Sequence, residues 1–240
     1  MNRYIVILSV LIAGLSSCQF MGGKRVRGSG NVISQERKFT GFSSVEASNA
    51  IHLYVKQDSV FSVRVETDDN LQEYIGVRME NGTLIVEQED NSRLDATGKL
   101  SVYVSAPLFK HLKATGASEI HGQNILTAEE AVSIDVSGAS DAELHVKAPS
   151  VTGEMTGAST LRLSGQTKDL TIDGTGASKA FCFDLLAENT NVDLSGASHA
   201  DVFASVKLDA EASGASGIIY KGNATVNQRT SGAASVKKSD

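Results

Sequence analysis

A four-residue unit recurs through the C-terminal half of this 240-residue chain and constrains its fold more than any other feature. Each unit is a hydroxyl residue followed by Gly, Ala and Ser, as in Thr175-Gly176-Ala177-Ser178, and the last copy is degenerate. The glycines of these units, called the corner glycines below, are Gly116, Gly138, Gly157, Gly176, Gly196, Gly214 and Gly232. Their successive spacings are 22, 19, 19, 20, 18 and 18 residues, which indicates a structural repeat.

The residues around each corner glycine alternate in character with the period of a β-strand. Positions two and four before the glycine and four after it are mostly apolar or small, as expected for side chains that point inward. One such unit cannot bury its own apolar side, whereas stacked units bury a continuous core. We therefore predict an all-β fold, a right-handed parallel β-helix (solenoid) of coils of about 19 residues, with the handedness taken from the general crossover rule.

The corner glycine fits a bend that needs a positive φ or a close backbone approach. The small Ala and Ser beside it let the next coil lie directly above. Residues 45–50 look like a divergent earlier copy in which Asn49 replaces the glycine, and Asn tolerates the left-handed conformation. The coils are therefore expected to begin before Gly116.

The N-terminus has the pattern of a secretory signal. Residues 1–17 contain Arg3, an apolar run and small residues before Cys18, and Leu15-Ser16-Ser17-Cys18 resembles the lipobox of bacterial lipoproteins. The resemblance implies that Cys18 is lipidated and anchors the chain to a membrane. The same resemblance to bacterial lipoproteins implies that Gln19, directly after the cysteine, favours the outer membrane, and the choice between its periplasmic and surface sides is left open.

The remaining chain divides into a short linker and one long domain. Residues 18–37 are predicted to be a lipidated cysteine and a Gly-rich, basic tether. Residues 38–236 are predicted to be a single β-helical domain, with N-terminal coils or a cap over 38–106 and the repeat coils over 107–236, and 237–240 form a tail.

Composition and motifs exclude several classes of function. The net charge of −6 and the lack of a basic stripe with interleaved aromatics argue against nucleic acid as a partner. The sequence has no nucleotide-binding loop, metalloprotease helix or paired-Cys motif. Its five histidines show no ligand spacing, and Cys182 falls in an inward column, so we expect no cofactor and no enzyme activity.

One outward column is acidic. The position three residues before the corner glycine is acidic in five successive units. We call these residues the acidic column: Asp135, Glu154, Asp173, Asp193 and Glu211. Lys113 and Arg229 occupy the equivalent positions at its two ends. Like charges on adjacent strands repel, by about 0.2–1 kcal/mol per pair. Two explanations stay open: a strip that binds a cationic or hydroxyl-rich ligand, with Ca²⁺ at Glu154, Asp173 and Asp193, or a solvated face that keeps the sheet soluble.

Several features together resemble the auto-transporter adhesin head GIN domain family of bacterial envelope proteins. They are the lipobox, the early strand segment 42–55, Asp68-Asp69-Asn70-Leu71, the Asn81-Gly82 turn and the serial Gly-Ala-Ser units. The resemblance covers about residues 38–236. It implies a right-handed β-helix and a role in adhesion, and it supplies no catalytic residues.

These observations predict a non-enzymatic lipoprotein of the cell envelope. Its flat outward face is expected to bind a glycan or another envelope protein. A periplasmic scaffold without a specific ligand is the first alternative. A β-helical polysaccharide lyase or hydrolase, which would use carboxylates on neighbouring coils, is the second.

Overall fold

Parallel strands stacked coil upon coil build the body of the protein, as seen in a computed structural model that describes residues 24–89 and 92–239. The fold is a β-solenoid, so the all-β class predicted from the sequence is confirmed. Within the described residues the single helical segment is a 3₁₀ helix at Asp69–Tyr74, which buries Leu71.

The N-terminal third contains nine strands. They are β1 (Lys24–Arg27), β2 (Val32–Arg37), β3 (Ser44–Ser48), β4 (His52–Gln57), β5 (Ser62–Asp68), β6 (Ile75–Glu80), β7 (Thr83–Gln88), β8 (Ser92–Asp95) and β9 (Ser101–Ala106).

The repeat region contributes twelve more. They are β10 (His111–Thr115), β11 (Glu119–Thr127), β12 (Val132–Val136), β13 (Asp141–Met155), β14 (Thr160–Gly174), β15 (Lys179–Cys182), β16 (Leu185–Leu194), β17 (His199–Phe203), β18 (Lys207–Ala212), β19 (Gly217–Lys221), β20 (Thr225–Thr230) and β21 (Ser235–Lys238).

Each coil is divided into two parts by its corner, which is at a corner glycine from Gly116 onward and at Asn49 in the first copy. Strands that lead into a corner stack in the order β3, β10, β12, β13, β14, β16, β18 and β20, and their outward side is called the pre-corner face. Strands that leave a corner form a second stack, from β4 and β11 through the first halves of β13 and β14 to β15, β17, β19 and β21. Its outward side is the post-corner face.

Backbone hydrogen bonds run from coil to coil through the corners. All seven corner glycines have φ between 62° and 84°, the left-handed conformation that favours glycine. The Ala177 N–H donates to the Gly157 carbonyl oxygen at 2.8 Å, and the equivalent bond recurs at the next corner from Ala197 to Gly176 at 2.7 Å. The corner therefore combines an unusual φ with a close contact between successive coils.

The inward columns predicted from the sequence form the core. Positions two before, four before and four after the corner glycines are buried in each of the six complete repeats, as Leu112, Ile134 and Leu161 illustrate. The serine of each complete unit is also buried, and Ser118 accepts a hydrogen bond from the Ile51 N–H at 3.2 Å. Small residues at the corner thus let successive coils approach closely.

The divergent copy at residues 45–50 is a true coil. Val45 is paired with Leu112 and Ala47 with Ala114 in the parallel register of β3 and β10. Asn49 has a φ of 63°, as predicted for the residue that replaces the glycine. The solenoid therefore begins well before Gly116.

Antiparallel strands cover the N-terminal end of the solenoid. Strand β5 pairs antiparallel with both β2 and β9, and β6 forms a hairpin with β7 through the Asn81-Gly82 turn. These strands complete the hydrogen bonds that the first parallel coil would otherwise leave open at its edge.

The tether predicted for residues 18–37 differs from the structure over residues 24–27 and 32–37, which lie in β1 and β2. The reason is local hydrogen bonding that the composition does not reveal. The buried Asp68 carboxylate accepts the Gly30 N–H at 2.7 Å and the Thr97 N–H at 2.9 Å, while β2 adds to the edge of β5. This segment is therefore part of the folded cap.

The C-terminal end of the solenoid is polar. Gln228 and Thr230 stand in the columns that hold Val192 and Leu194 two coils earlier, and both are exposed. Polar side chains at these inward positions make the last coil a poor template for another strand.

Replacing a corner glycine should destabilise the fold more than replacing a glycine with the same φ elsewhere. A Cβ at Gly176 would lie 2.7 Å from the Gly157 carbonyl oxygen, whereas a Cβ at Gly41, with a φ of 79°, meets nothing within 4 Å. We expect Gly41→Val to cost about 1–3 kcal/mol from backbone strain and Gly176→Val to cost more. Urea unfolding of the two variants measures the difference, and equal midpoints would contradict the steric role of the corner.

Candidate functional site

The acidic column predicted from the sequence is a real stack on the pre-corner face. Strand register places each member directly beside the next, from Asp135 through Glu154, Asp173 and Asp193 to Glu211. Lys113 precedes the column and Arg229 follows it in the same register. Aligning the sequence on the corner glycines therefore identifies true spatial neighbours.

Basic side chains flank the two ends of this column, but within the described ranges a cation is paired with a member of the column only at the Glu211 end. Lys113 Nζ lies 3.0 Å from Glu46 Oε1 on the preceding coil, and Arg229 donates to Glu211 at 2.6 Å. At the near end, His111 Nε2 lies 3.5 Å from Asp135 Oδ2. The acidic charge that these pairs leave lies in the middle of the stack.

The three central carboxylates, Glu154, Asp173 and Asp193, make no ion pair within 4.0 Å among the described residues. Burial and, after it, the charge of Asp193 raise the pKa of the Asp173 carboxyl above its ordinary value. Successive coils are about 4.8 Å apart, so three stacked carboxylates lie along a line rather than around a point. Calcium binding at these residues remains a prediction.

A second surface carries aromatic, histidine and arginine side chains in one column and was not predicted from the sequence. On the post-corner face, Tyr103, Tyr54 and His121 occupy one column on three successive coils. The two tyrosine rings stack with centroids 4.9 Å apart, and the His121 ring stacks on Tyr54 at 5.3 Å. Arg64 lies over the outer face of Tyr103, 4.2 Å from its centroid. The rings and the guanidinium form one continuous stack.

The same column continues with charged and aromatic side chains. Glu143, Arg162 and Phe181 follow His121 on the next three coils. The Arg162 guanidinium lies 5.1 Å from the centre of the Phe181 ring, which is 36% exposed. The residue type in this column changes from coil to coil, whereas the acidic column repeats a carboxylate.

A groove of about 620 Å³ opens along this part of the post-corner face. Its walls include Arg162, Phe181 and three residues with titratable side chains, Glu143, His145 and Asp184. A neighbouring hollow of about 520 Å³ shares His145 and Asp184 and adds the half-exposed Ile125. Within the part of the chain that the structure describes, Arg162 makes no ion pair within 4.0 Å. The groove therefore presents an aromatic ring with the Arg162 guanidinium over it, and Arg162 has no carboxylate partner among the described residues.

Histidines that lack ligand spacing in the sequence come together in space. His52 Nδ1 lies 2.8 Å from Glu119 Oε2, and His121 Nε2 lies 3.1 Å from the same oxygen. One signal in the sequence could have found this group. Aligning Asn49 with Gly116 places His52 opposite Glu119 and Tyr54 opposite His121, on the outward face.

Cys182 is not a reactive site. Its side chain is fully buried beside Val202 in an inward column, as predicted. Burial raises the pKa of the thiol to about 12, so the thiolate needed for nucleophilic attack is absent at neutral pH.

With the fold and these surfaces described, comparison with known proteins identifies the family. The model of the family described as "Putative auto-transporter adhesin, head GIN domain" matches residues 41–224. The match spans most of the chain, and the protein therefore belongs to this family of adhesin-like proteins. Family membership associates it with the cell envelope. No curated protein sequence matches the chain.

Solved structures share the fold at low sequence identity. A "putative adhesin" from Bacteroides fragilis has a TM-score of 0.83 at 19% identity, over 89% of this chain and 99% of its own. A "putative lipid binding protein" from Parabacteroides distasonis has a TM-score of 0.74 at 18% identity, over 90% and 100%. A "putative adhesin" from Parabacteroides merdae has a TM-score of 0.71 at 20% identity, over 90% and 100%. At these identities the likeness shows a common fold.

The membrane attachment predicted from the sequence falls on residues that are not described. Cys18 and the signal segment lie outside residues 24–89 and 92–239. Across those described ranges, no helix has the length and apolar character needed to cross a bilayer.

Removing the central charge of the acidic column should stabilise the protein at neutral pH. Because the pKa of Asp173 is raised by folding, its ionisation lowers stability as the pH rises through the range above 3.8. We expect Asp173→Asn to raise the free energy of unfolding by on the order of 0.2–1 kcal/mol at pH 7 and to lose this advantage below pH 3.8. Thermal unfolding of the parent and the variant at a pH in each range measures the difference.

The matched control is Asp209→Asn in the same stack of strands. A hydrogen bond from Lys207 lowers the pKa of Asp209, so this substitution should not stabilise the protein at pH 7. If Asp173→Asn is no more stable than the parent at pH 7, the repulsion inferred for the acidic column does not limit stability.

Proposed function

We propose that this protein is a non-enzymatic binding module of the cell envelope that holds a glycan in the groove on the post-corner face. The observation that carries the proposal is the exposed Phe181 ring beside Arg162 in that groove. An exposed aromatic ring offers a flat apolar surface for the C–H face of a sugar. Charged groups around it can bind hydroxyls and fix orientation.

The charges of the groove favour an acidic sugar. Arg162 is exposed and presents planar paired donors, the arrangement best suited to a carboxylate. Glu143, His145 and Asp184 around it provide acceptors for hydroxyl groups. We infer that a glycan containing uronic acids matches this groove better than a neutral one.

Adhesion fits this proposal because a solenoid presents a long, rigid side to an extended polymer. Successive coils place Glu143, Arg162 and Phe181 at a regular spacing of about 4.8 Å. A repeating polysaccharide can contact several coils at once. Membership of an adhesin-like family supports a binding role in preference to catalysis.

Binding of a purified uronate-containing polysaccharide should be lost when the groove is altered. We expect Phe181→Ala and Arg162→Ala each to weaken binding about tenfold or more, since central aromatic and arginine contacts dominate such interfaces. Carboxyl reduction of the same polysaccharide should weaken binding to the parent protein and have little further effect on Arg162→Ala. Isothermal titration calorimetry of the parent and of Arg162→Ala, each with the native and the carboxyl-reduced polysaccharide, measures these effects.

A triple variant, Glu154→Gln, Asp173→Asn and Asp193→Asn, is the matched control because it alters the pre-corner face alone. It should bind as the parent does. Loss of binding in this variant alone would assign the ligand to the acidic column. New reducing or unsaturated sugar ends would assign an enzyme, and no binding to any envelope polysaccharide would favour a scaffold.

We also propose that Cys18 anchors the protein to the outer membrane through lipid. The solenoid would then face either the periplasm or the cell surface. The support is the lipobox Leu15-Ser16-Ser17-Cys18 at the end of an apolar signal segment. Several acyl chains at one cysteine hold a protein stably, since a single chain binds only marginally.

Lipidation is testable by growing cells with an alkyne-bearing palmitate analogue. We expect the protein to carry the label and to enter the detergent phase on Triton X-114 partition, and Cys18→Ser to lose both properties. Cys182→Ala serves as the control, because that thiol is buried and should not contribute. Label retained in Cys18→Ser would show that acylation occurs elsewhere.

A further inference from the structure

The three side chains of His52, Glu119 and His121, called the His–Glu–His cluster below, converge on the post-corner face near the N-terminal end of the solenoid. Their ligand atoms all lie within 4.8 Å of one another, and no other group of three among the described residues meets this condition. Both imidazoles point a nitrogen at the same carboxylate oxygen, Glu119 Oε2. The cluster therefore has a common centre.

Rigid strands hold these residues in place. Glu119 and His52 are directly paired in the parallel register of β11 and β4, although 67 residues separate them in the chain. His121 follows Glu119 by two positions and so lies on the same outward side of β11. Two neighbouring coils thus supply the cluster without any contribution from a loop.

Packing around the cluster restricts the His121 ring. Tyr54 stacks on it at 5.3 Å, and Tyr103 stacks in turn on Tyr54. The side chains of His52, Glu119 and His121 are 22%, 34% and 35% exposed, so they are partly shielded from water but open on one side. Neighbours that fix the orientation of a histidine raise the affinity of a metal site.

The regular repeat is interrupted at this place. The register of β11 against β13 shifts between His121 and Ile125, which marks a bulge directly after the cluster. The corner glycines on either side of this coil are 22 residues apart, more than at any later corner. Bulges occur preferentially beside functional sites, where they redirect side chains.

We propose that His52, Glu119 and His121 bind a divalent transition-metal ion of the Zn²⁺ type. Two imidazole nitrogens and one carboxylate oxygen are a ligand set that Zn²⁺ accepts in proteins. Calcium, which takes six to eight oxygen ligands, is poorly matched to it. The Glu119 oxygen lies 2.8 and 3.1 Å from the two imidazole nitrogens, so these side chains would move apart to admit an ion between them.

This inference goes beyond the glycan-binding function proposed above and does not depend on it. His121 also lines the groove, so an ion held there would fix one wall of the groove. Metal binding can therefore be tested by changing its three ligands, whether or not the groove binds a glycan.

The direct experiment is titration of the full chain, purified in detergent without an affinity tag, with Zn²⁺ and separately with Ca²⁺. We expect one Zn²⁺ to bind per chain and Ca²⁺ not to compete with it. Glu119→Gln and His121→Ala should each weaken Zn²⁺ binding at least about tenfold. Co²⁺ bound at the same site should give visible absorption bands that disappear in His121→Ala.

His199→Ala is the matched control, because His199 pairs with Asp201 at 2.9 Å on the same face without a third ligand. It should bind Zn²⁺ as the parent does. Circular dichroism must show native strand content in each variant, and His52→Ala replaces any variant that fails. Absence of stoichiometric Zn²⁺ binding, or binding unchanged in both Glu119→Gln and His121→Ala, would overturn the proposal and leave the cluster as a hydrogen-bond network only.

Discussion

The hydrogen-bonded contact between successive corners is the constraint on which the rest of the structure depends. From Ala158 to Ala233, the alanine N–H of one corner donates to the glycine carbonyl of the preceding corner at 2.7–2.8 Å. A Cβ at Gly157 or any later corner glycine would lie 2.5–2.8 Å from that same oxygen. Stacking therefore demands glycine at these positions in addition to the demand of a positive φ. Because the bond continues through the corner, each coil is locked in register with the next.

A locked register converts spacing in the sequence into columns in space, and the chemistry of each column follows from its side chains. Carboxylates that repeat at one position repel, and Arg229 relieves this at the last member, Glu211, whereas Lys113 pairs with Glu46 on the coil before the column begins. Aromatic rings that repeat at one position attract, as Tyr103, Tyr54 and His121 do. The same geometry thus produces a repulsive stack on the pre-corner face and a cohesive one on the post-corner face.

The sequence predicts the columns well wherever the repeat is explicit. The inward positions and the acidic column follow from alignment on the corner glycines, because each glycine marks the register of its own coil although the spacing varies from 18 to 22 residues. The antiparallel cap does not follow, since β2 and β5 pair across a segment that has no repeat and depend on contacts such as Asp68 with Gly30. The His–Glu–His cluster is also missed, because one partner belongs to the divergent copy at Asn49, where the glycine that marks the register is absent.

A ligand can be bound specifically where outward residues differ from coil to coil. A solenoid permits such differences with little effect on the stability of the fold. Each coil contacts mainly its neighbours, so folding depends on the inward columns and tolerates change on the outward side. On the post-corner face the inward position next to each outward one stays apolar and buried, as Ile120, Ala142, Leu161 and Ala180 show. The outward positions beside them are His121, Glu143, Arg162 and Phe181. An unvarying core beside a varied surface separates the requirements of folding from those of binding, and a ligand that spans several coils can read that variation along its length.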